Sequence, residues 1–262
     1  MEHGVHSEDR PNGVRALVIS NPKKRNALDP ELLDQLIAAL RRPRADGEKV
    51  RALFVRGAGK SAFCSGYDIA ALGDNISTEG PLPDQQLQRA MEALEAHDAP
   101  SVAYVNGPAF GAGCELACAC DFRVGDAHAV FSMPPARLGI IYPPEGLQRV
   151  LALVGPSRAK RMFLLAQKLE AEEALRAGLL DELRPEDEAE EAANELCREL
   201  AAGAPLALAG MKRTFNWLAA PIRTVEEREM LERLRRAAFR SADAREGRSA
   251  FREKRAPRFK GH

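Results

Sequence analysis

Two short runs of small residues hold the chemistry that this sequence could perform. The first is Ala62-Phe63-Cys64-Ser65-Gly66-Tyr67-Asp68, directly after a strand-like run. Its small side chains and its glycine let a ligand approach the backbone, whose N–H groups are then placed to donate. A plain strand-to-helix turn capped by Asp68 fits the same residues. The second run is Asn106-Gly107-Pro108-Ala109-Phe110-Gly111-Ala112-Gly113-Cys114-Glu115-Leu116-Ala117. It opens a helix, and a helix N-terminus offers unpaired N–H groups and a dipole that favours negative charge. The spacing is not that of the dinucleotide fingerprint. Glu115 is the sole charged side chain between Ala99 and Cys120. A carboxylate in so apolar a stretch is costly unless it has a partner or a chemical task.

Other reactive side chains fit less well. His97 and Ser101 are close in sequence, but no nucleophile elbow surrounds them. His128 sits at a turn before a strand. Cys114, Cys118 and Cys120 lack a fourth soft ligand at a zinc-site spacing, so no metal is expected and they read as small core residues.

The elements that must position these runs are legible on either side. Val14–Ser20 and Val50–Arg56 read as buried strands. Asp29-Pro30-Glu31 between them reads as a helix start, and Leu32, Leu33, Leu36, Ile37 and Leu40 keep helical spacing. Strand, helix, strand implies a parallel pair with a right-handed crossover. The pattern repeats as a helix over 83–96, a strand at Val102–Val105, a short helix from Cys114 to Cys120, and strands at Phe122–Val124 and Ala129–Phe131. Such alternation predicts a layered α/β core. Beyond about residue 145 strand signals nearly vanish and Leu179–Leu183 is the last expected strand. Gly155-Pro156-Ser157 separates two helices. From Glu186 onward the chain reads as amphipathic helices, broken near Ala204-Pro205 and Ala220-Pro221.

Composition bounds the partners. The 262 residues carry 38 Lys+Arg against 38 Asp+Glu, which removes the basic footprint of a nucleic-acid binder. No secretory signal is read between Met1 and Arg10, and Ala99–Cys120 is too rich in turn residues for a membrane span. Five cysteines are an odd number, which favours reduced thiols in a cytoplasmic setting. Residues 240–262 hold eight basic and three acidic side chains, enough to meet the phosphates of a small ligand.

Taken together and in order, the two runs resemble the crotonase (enoyl-CoA hydratase/isomerase) superfamily. Lys24-Arg25-Asn26-Ala27-Leu28, Cys120-Asp121-Phe122-Arg123 and Phe251-Arg252-Glu253-Lys254-Arg255 extend the likeness from about Gly13 to His262. The resemblance implies a crotonase-like (ClpP/crotonase) α/β spiral of ββα units over residues 1–200. Residues 201–262 would form a C-terminal helical trimerisation region. It also implies an acyl-CoA thioester as substrate, with coenzyme A entering as part of that substrate and no separate cofactor. The assembly implied is a homotrimer or a hexamer, with no nucleic acid and no membrane.

By motif, the backbone amides of Tyr67 and Ala112, flanked by Gly66, Asp68 and Gly111, would hold the thioester oxygen as it becomes an enolate. Many relatives have glycine where Ala112 stands, and alanine keeps the N–H. Hydratases of this superfamily use two glutamates. Glu115 matches the first, whereas Pro135 occupies the place of the second, and Glu145 could move into that gap. Phe131-Ser132-Met133 and Leu138-Gly139-Ile140-Ile141-Tyr142 look most like the methylmalonyl-CoA decarboxylase branch, in which a tyrosine at Tyr142 contacts the substrate's carboxylate side. That branch has histidine where Tyr67 stands and threonine where Pro134 stands. Ala27 and Ile69 would meet coenzyme A through their backbones, and Phe251 and Lys254 would meet its nucleotide end across a subunit boundary. The expected activity is an acyl-CoA lyase that decarboxylates a methylmalonyl-type substrate. The alternatives are an enoyl-CoA hydratase or isomerase using Glu115, or a CoA-binding protein without turnover.

Overall fold

The computed structural model describes residues 1–72, 82, 84–219 and 225–258. Its strands are β1 (Gly4–Asp9), β2 (Val14–Ser20), β3 (Ala52–Gly57), β4 (Ser101–Val105), β5 (Pro108–Phe110), β6 (Phe122–Gly125), β7 (Val130–Ser132), β8 (Lys168–Glu170) and β9 (Glu182–Leu183). Its α-helices are α1 (Pro30–Arg41), α2 (Gln85–Glu95), α3 (Ala112–Ala119), α4 (Pro144–Leu165), α5 (Ala171–Ala177), α6 (Glu186–Ala202), α7 (Pro205–Ala219), α8 (Val225–Arg240) and α9 (Ala242–Arg252).

Apolar residues in unbroken runs, rather than in alternation, are what strands covered on both faces require. β2, β3, β4 and β6 have that character, and they form the parallel centre of a six-stranded sheet ordered β1-β2-β3-β4-β6-β9. Helix α1 makes the crossover between β2 and β3. Asp29 caps it by accepting from the Leu32 N–H at 2.9 Å, with Pro30 in the first turn. Ala189, Ala193, Cys197 and Ala201 of α6 cover one face of the sheet against Val14, Ala16, Phe54, Val102 and Val124. The larger cluster on the other face takes in α1, α2, α3 and α4.

Three features depart from the sequence expectations. β1 pairs antiparallel with β2, and β8 pairs antiparallel with β7; neither strand was anticipated. Both are edge strands with polar residues, so they lack the apolar run that marks the centre. The third is Arg15, fully buried in β2, whose guanidinium donates to Asp9 at 2.6 and 3.1 Å and to the Ala39 carbonyl at 2.9 Å. The helices flanking Gly155 meet at that residue, which is non-helical at φ 74°. Pro83, the Ala220-Pro221 break and the end of the chain after Arg258 lie outside the described residues. No described helix is long and apolar enough to cross a membrane.

A second sheet, ordered β5-β7-β8, carries the chain from the end of β4 into α3. The first bend of interest leaves β3, and the second leaves β5. The two sheets therefore deliver both bends to one end of the fold.

Candidate active site

The residues 24–28 frame the first bend. Asn26 is buried and spans the loop after β3, donating to the carbonyls of Ala58 at 3.0 Å and Ala62 at 2.9 Å. Asn106 holds the same loop from the other side, donating to the carbonyls of Gly57 at 3.1 Å and Gly59 at 2.7 Å. The Leu28 N–H donates to the Gly66 carbonyl at 2.8 Å, and the Asp68 N–H donates to the Leu28 carbonyl at 2.7 Å. That pairing brackets Tyr67. In extended backbone, successive amides point to opposite sides, so the Tyr67 N–H is directed away from Leu28. On that far edge the Cys64 N–H donates to the Pro108 carbonyl at 3.1 Å and the Phe110 N–H to the Cys64 carbonyl at 3.0 Å.

The second bend turns at Gly111, whose φ of 50° and ψ of −117° suit glycine. Ala112 is then the first residue of α3, and its N–H has no carbonyl one turn back to bond. The first helical bond of this end runs from the Glu115 N–H to the Gly111 carbonyl at 3.0 Å. Gly113 lets the bends touch: a Cβ there would lie 2.7 Å from Cys64 Cβ and closer still to the Cys64 carbonyl.

Glu115 is fully buried one turn into α3. Its Oε1 accepts from Arg149 Nη1 at 2.6 Å and from Gln88 Nε2 at 3.0 Å. Its Oε2 accepts from the Tyr142 hydroxyl at 2.5 Å. Arg149 is itself held side-on by Glu95 at 2.8 and 2.7 Å, and its Nη1 also reaches Gln88 Oε1 at 2.8 Å. Burial raises the Glu115 pKa, and the charge of Arg149 with the bonds from Tyr142, Gln88 and Arg149 pulls it part of the way back. Burial and the Glu115 carboxylate together raise Tyr142 well above the ordinary phenol value.

Gly146 makes this contact possible. A Cβ at that position would lie 2.8 Å from Glu115 Oε1 and would overlap the Tyr142 ring. Gly146→Val is therefore expected to push Tyr142 off Glu115, costing about 1–3 kcal/mol of stability. Urea denaturation measures that cost, and an unchanged midpoint would show that the site accommodates the added side chain.

The remaining sequence-derived residues are distributed as follows. Ala27 is buried, and its carbonyl accepts from Asn21 Nδ2 at 3.0 Å. Asp68 is half-buried and accepts from Lys24 Nζ at 2.5 Å, and Ile69 opens the single turn Ile69–Leu72. Tyr67 is half-buried, with its phenol pushed up to about 12 by burial. Pro135 and Leu138 bound the single turn Pro135–Leu138, Pro135 being buried. Phe251 is 61% exposed, and Lys254 is exposed with φ 53°. Glu145 is exposed in the first turn of α4. It lines a 630 Å³ groove with Glu95, Gln148, Arg149, Leu208 and Phe215. Sequence reasoning missed Gln88, Glu95, Arg149 and Gly146. The signal was Glu115 itself, whose demand for a partner named no partner. Among the described residues no three His, Cys, Asp or Glu side chains group as a metal site would need.

Comparison with known proteins decides the kinship. The family model described as enoyl-CoA hydratase/isomerase matches residues 9–262. This chain belongs to that family. A probable enoyl-CoA hydratase of Mycobacterium tuberculosis is 35% identical over 253 residues, covering 95% of this chain and 96% of the relative. The short-chain-enoyl-CoA hydratase of Clostridium acetobutylicum is 33% identical over 208 residues, 79% of each chain. A crystal structure of methylmalonyl-CoA decarboxylase complexed with 2S-carboxypropyl-CoA superposes with a TM-score of 0.89 at 27% identity, covering 100% of this chain and 99% of the other. The α/β architecture is thus the crotonase fold, and the chain is of the enoyl-CoA hydratase/isomerase type.

Proposed function

We propose that this crotonase-family protein is an acyl-CoA lyase that decarboxylates a short branched malonyl-type thioester, methylmalonyl-CoA first among them. The observation that carries the proposal is the buried Glu115 carboxylate with the Tyr142 hydroxyl on it. Glu115 accepts from Tyr142 on its Oε2, and the resemblance puts Pro135 where hydratases of the superfamily have their second glutamate. Addition of water across a double bond needs an acid and a base together, and losing one of them costs about 10²- to 10⁴-fold. Loss of CO2 needs neither.

In this reading the thioester oxygen sits between the amides of Tyr67 and Ala112. The bond from the α-carbon to the carboxylate breaks, its electron pair moves into the thioester, and CO2 leaves. The amides meet the charge where it develops, each donor being worth about 3 kcal/mol. Glu115 places a like charge on the side from which CO2 departs, and Tyr142 holds that charge in position. The enolate then takes one proton at its α-carbon from a water molecule on the Tyr142 side, and the hydroxide left behind passes to solvent. Gly66, Asp68 and Gly111 shape the two bends, and Pro135 and Leu138 bound the acyl end.

Coenzyme A enters with the substrate along Ala27 and Ile69, and its nucleotide end meets Phe251 and Lys254. Leu206, Phe215, Trp217 and Leu218 of α7 are all more than half exposed, which suits a trimer or hexamer assembled through residues 201–262 in the cytoplasm. The structural relative named methylmalonyl-CoA decarboxylase supports the proposal.

A second reading is favoured by the two sequence relatives above, both named as enoyl-CoA hydratases. There Glu115 is the base for hydration or isomerisation of an enoyl-CoA, with Glu145 as its helper. Incubation with methylmalonyl-CoA and with crotonyl-CoA separates the two. Release of CO2 from the first supports decarboxylation; hydration of the second without CO2 release overturns it.

A further inference from the structure

We propose that Arg149 is a positioning residue that couples Glu115 to Glu95, so that the charge carried at Glu95, on the groove side of the core, governs the protonation of Glu115 in the catalytic end. The inference rests on the proposed function only in taking Glu115 as the buried carboxylate that faces the reacting group.

The geometry is that of one cation between two anions. The Nε and Nη2 edge of Arg149 is committed to both oxygens of Glu95, at 2.8 and 2.7 Å. Only Nη1 is left for Glu115, at 2.6 Å, and Gln88 closes a triangle by accepting from the same Nη1 and donating to the same Glu115 oxygen. Two donors therefore fix Oε1 of Glu115, and Oε2 alone remains on the Tyr142 side. The Arg149 side chain is 7% exposed and that of Glu115 is fully buried, so water screens their attraction little. Glu95 is 32% exposed in its side chain and borders the 630 Å³ groove, so it is the member of the set that solvent reaches.

Other charges face the set from each packed element. Cys114 neighbours Glu115 on α3 with a thiol kept neutral, its pKa lying well above the usual value through its bond with Cys118 and burial. Asp84, paired with Arg235 at 2.5 Å, lies toward the Tyr142 side. Glu145 and Glu92 line the same groove as Glu95 and Arg149. None of these bridges Glu115 to another element as Arg149 does among the described contacts.

The sign of each change follows. Arg149 favours the ionised form of Glu115, so removing its charge moves the Glu115 titration to higher pH. Glu95 disfavours that form, being a like charge that also claims most of the guanidinium. Glu95→Gln therefore moves the titration to lower pH.

The test is an infrared titration of the carboxylic acid band, taken as the difference between each protein and its Glu115→Gln counterpart, with no substrate present. Arg149→Gln is expected to raise the Glu115 midpoint by about 1–3 pH units. Glu95→Gln is expected to lower it, and Arg149→Lys, which keeps the charge without the fork, is expected to move it less than Arg149→Gln. A purely structural Arg149 would lower stability and leave the midpoint in place, which would overturn the inference. So would shifts of the same sign in Arg149→Gln and Glu95→Gln. Should Arg149→Gln fail to fold, the Glu95→Gln and Arg149→Lys titrations decide, and an unmoved midpoint in Glu95→Gln is the contrary result. Because no turnover is measured, a wrong choice of reaction leaves this test intact.

Discussion

Replacing Ala112 by proline is expected to lower kcat by about 10²- to 10³-fold while leaving the fold in place. Ala112 is the first residue of α3, the one helical position where proline is at home, because its missing N–H is an orphan there. The residue before it is Gly111, which has no Cβ to meet the proline ring. The substitution thus deletes a single proton donor. Turnover with methylmalonyl-CoA, together with far-UV circular dichroism and thermal melting, separates a lost donor from a lost fold. Unchanged kcat in a folded variant would remove the Ala112 amide from the mechanism.

Glu115→Gln carries the second large effect, and it differs between the two reactions. Hydration or isomerisation of an enoyl-CoA is expected to fall by about 10²- to 10⁴-fold, because proton transfer is the chemistry there. Decarboxylation is expected to fall less, since CO2 departs without a base. Equal losses in both would count against decarboxylation as the native reaction. The same variant has a pH signature in stability. Burial raises the Glu115 pKa in the folded protein above its unfolded value, so the folded state holds the proton more tightly. Its contribution is then present at low pH and is lost as the pH rises through the raised value. Urea denaturation of wild type and Glu115→Gln across that range is expected to show the slope in the first and not in the second.

Much of this was legible in the residues because the signals were local. Asp29-Pro30 caps and starts α1, Val14–Ser20 and Ala52–Gly57 run as an apolar parallel pair, and Gly111 turns the chain into a helix of small residues. Each of these depends on neighbours a few residues away. The setting of Glu115 does not. Gln88, Tyr142 and Arg149 stand 27, 27 and 34 residues from it and come from separate elements. The periodicity of Gln88 within α2 and of Arg149 within α4 says only that each faces inward or outward, and Tyr142 lies in the loop before α4. Gly146 carries no local signal of its own, and its need to be glycine is set by the Tyr142 ring beside it. Arg15 was hidden in the same way, a charge inside an apolar strand whose partners, Asp9 and the end of α1, lie across the edge of the sheet.

The mechanism stands on two amides sharing one oxygen, and the bound carbonyl reports them directly. The measurement is the infrared stretch of a 13C-labelled thioester carbonyl in propionyl-CoA, free and bound to wild type and to Ala112→Pro. A stretch that drops to lower frequency on binding wild type, and drops less in the proline variant, is expected. A bound carbonyl that vibrates as it does in water, alike in both proteins, would contradict the convergence of Tyr67 and Ala112 on the reacting group.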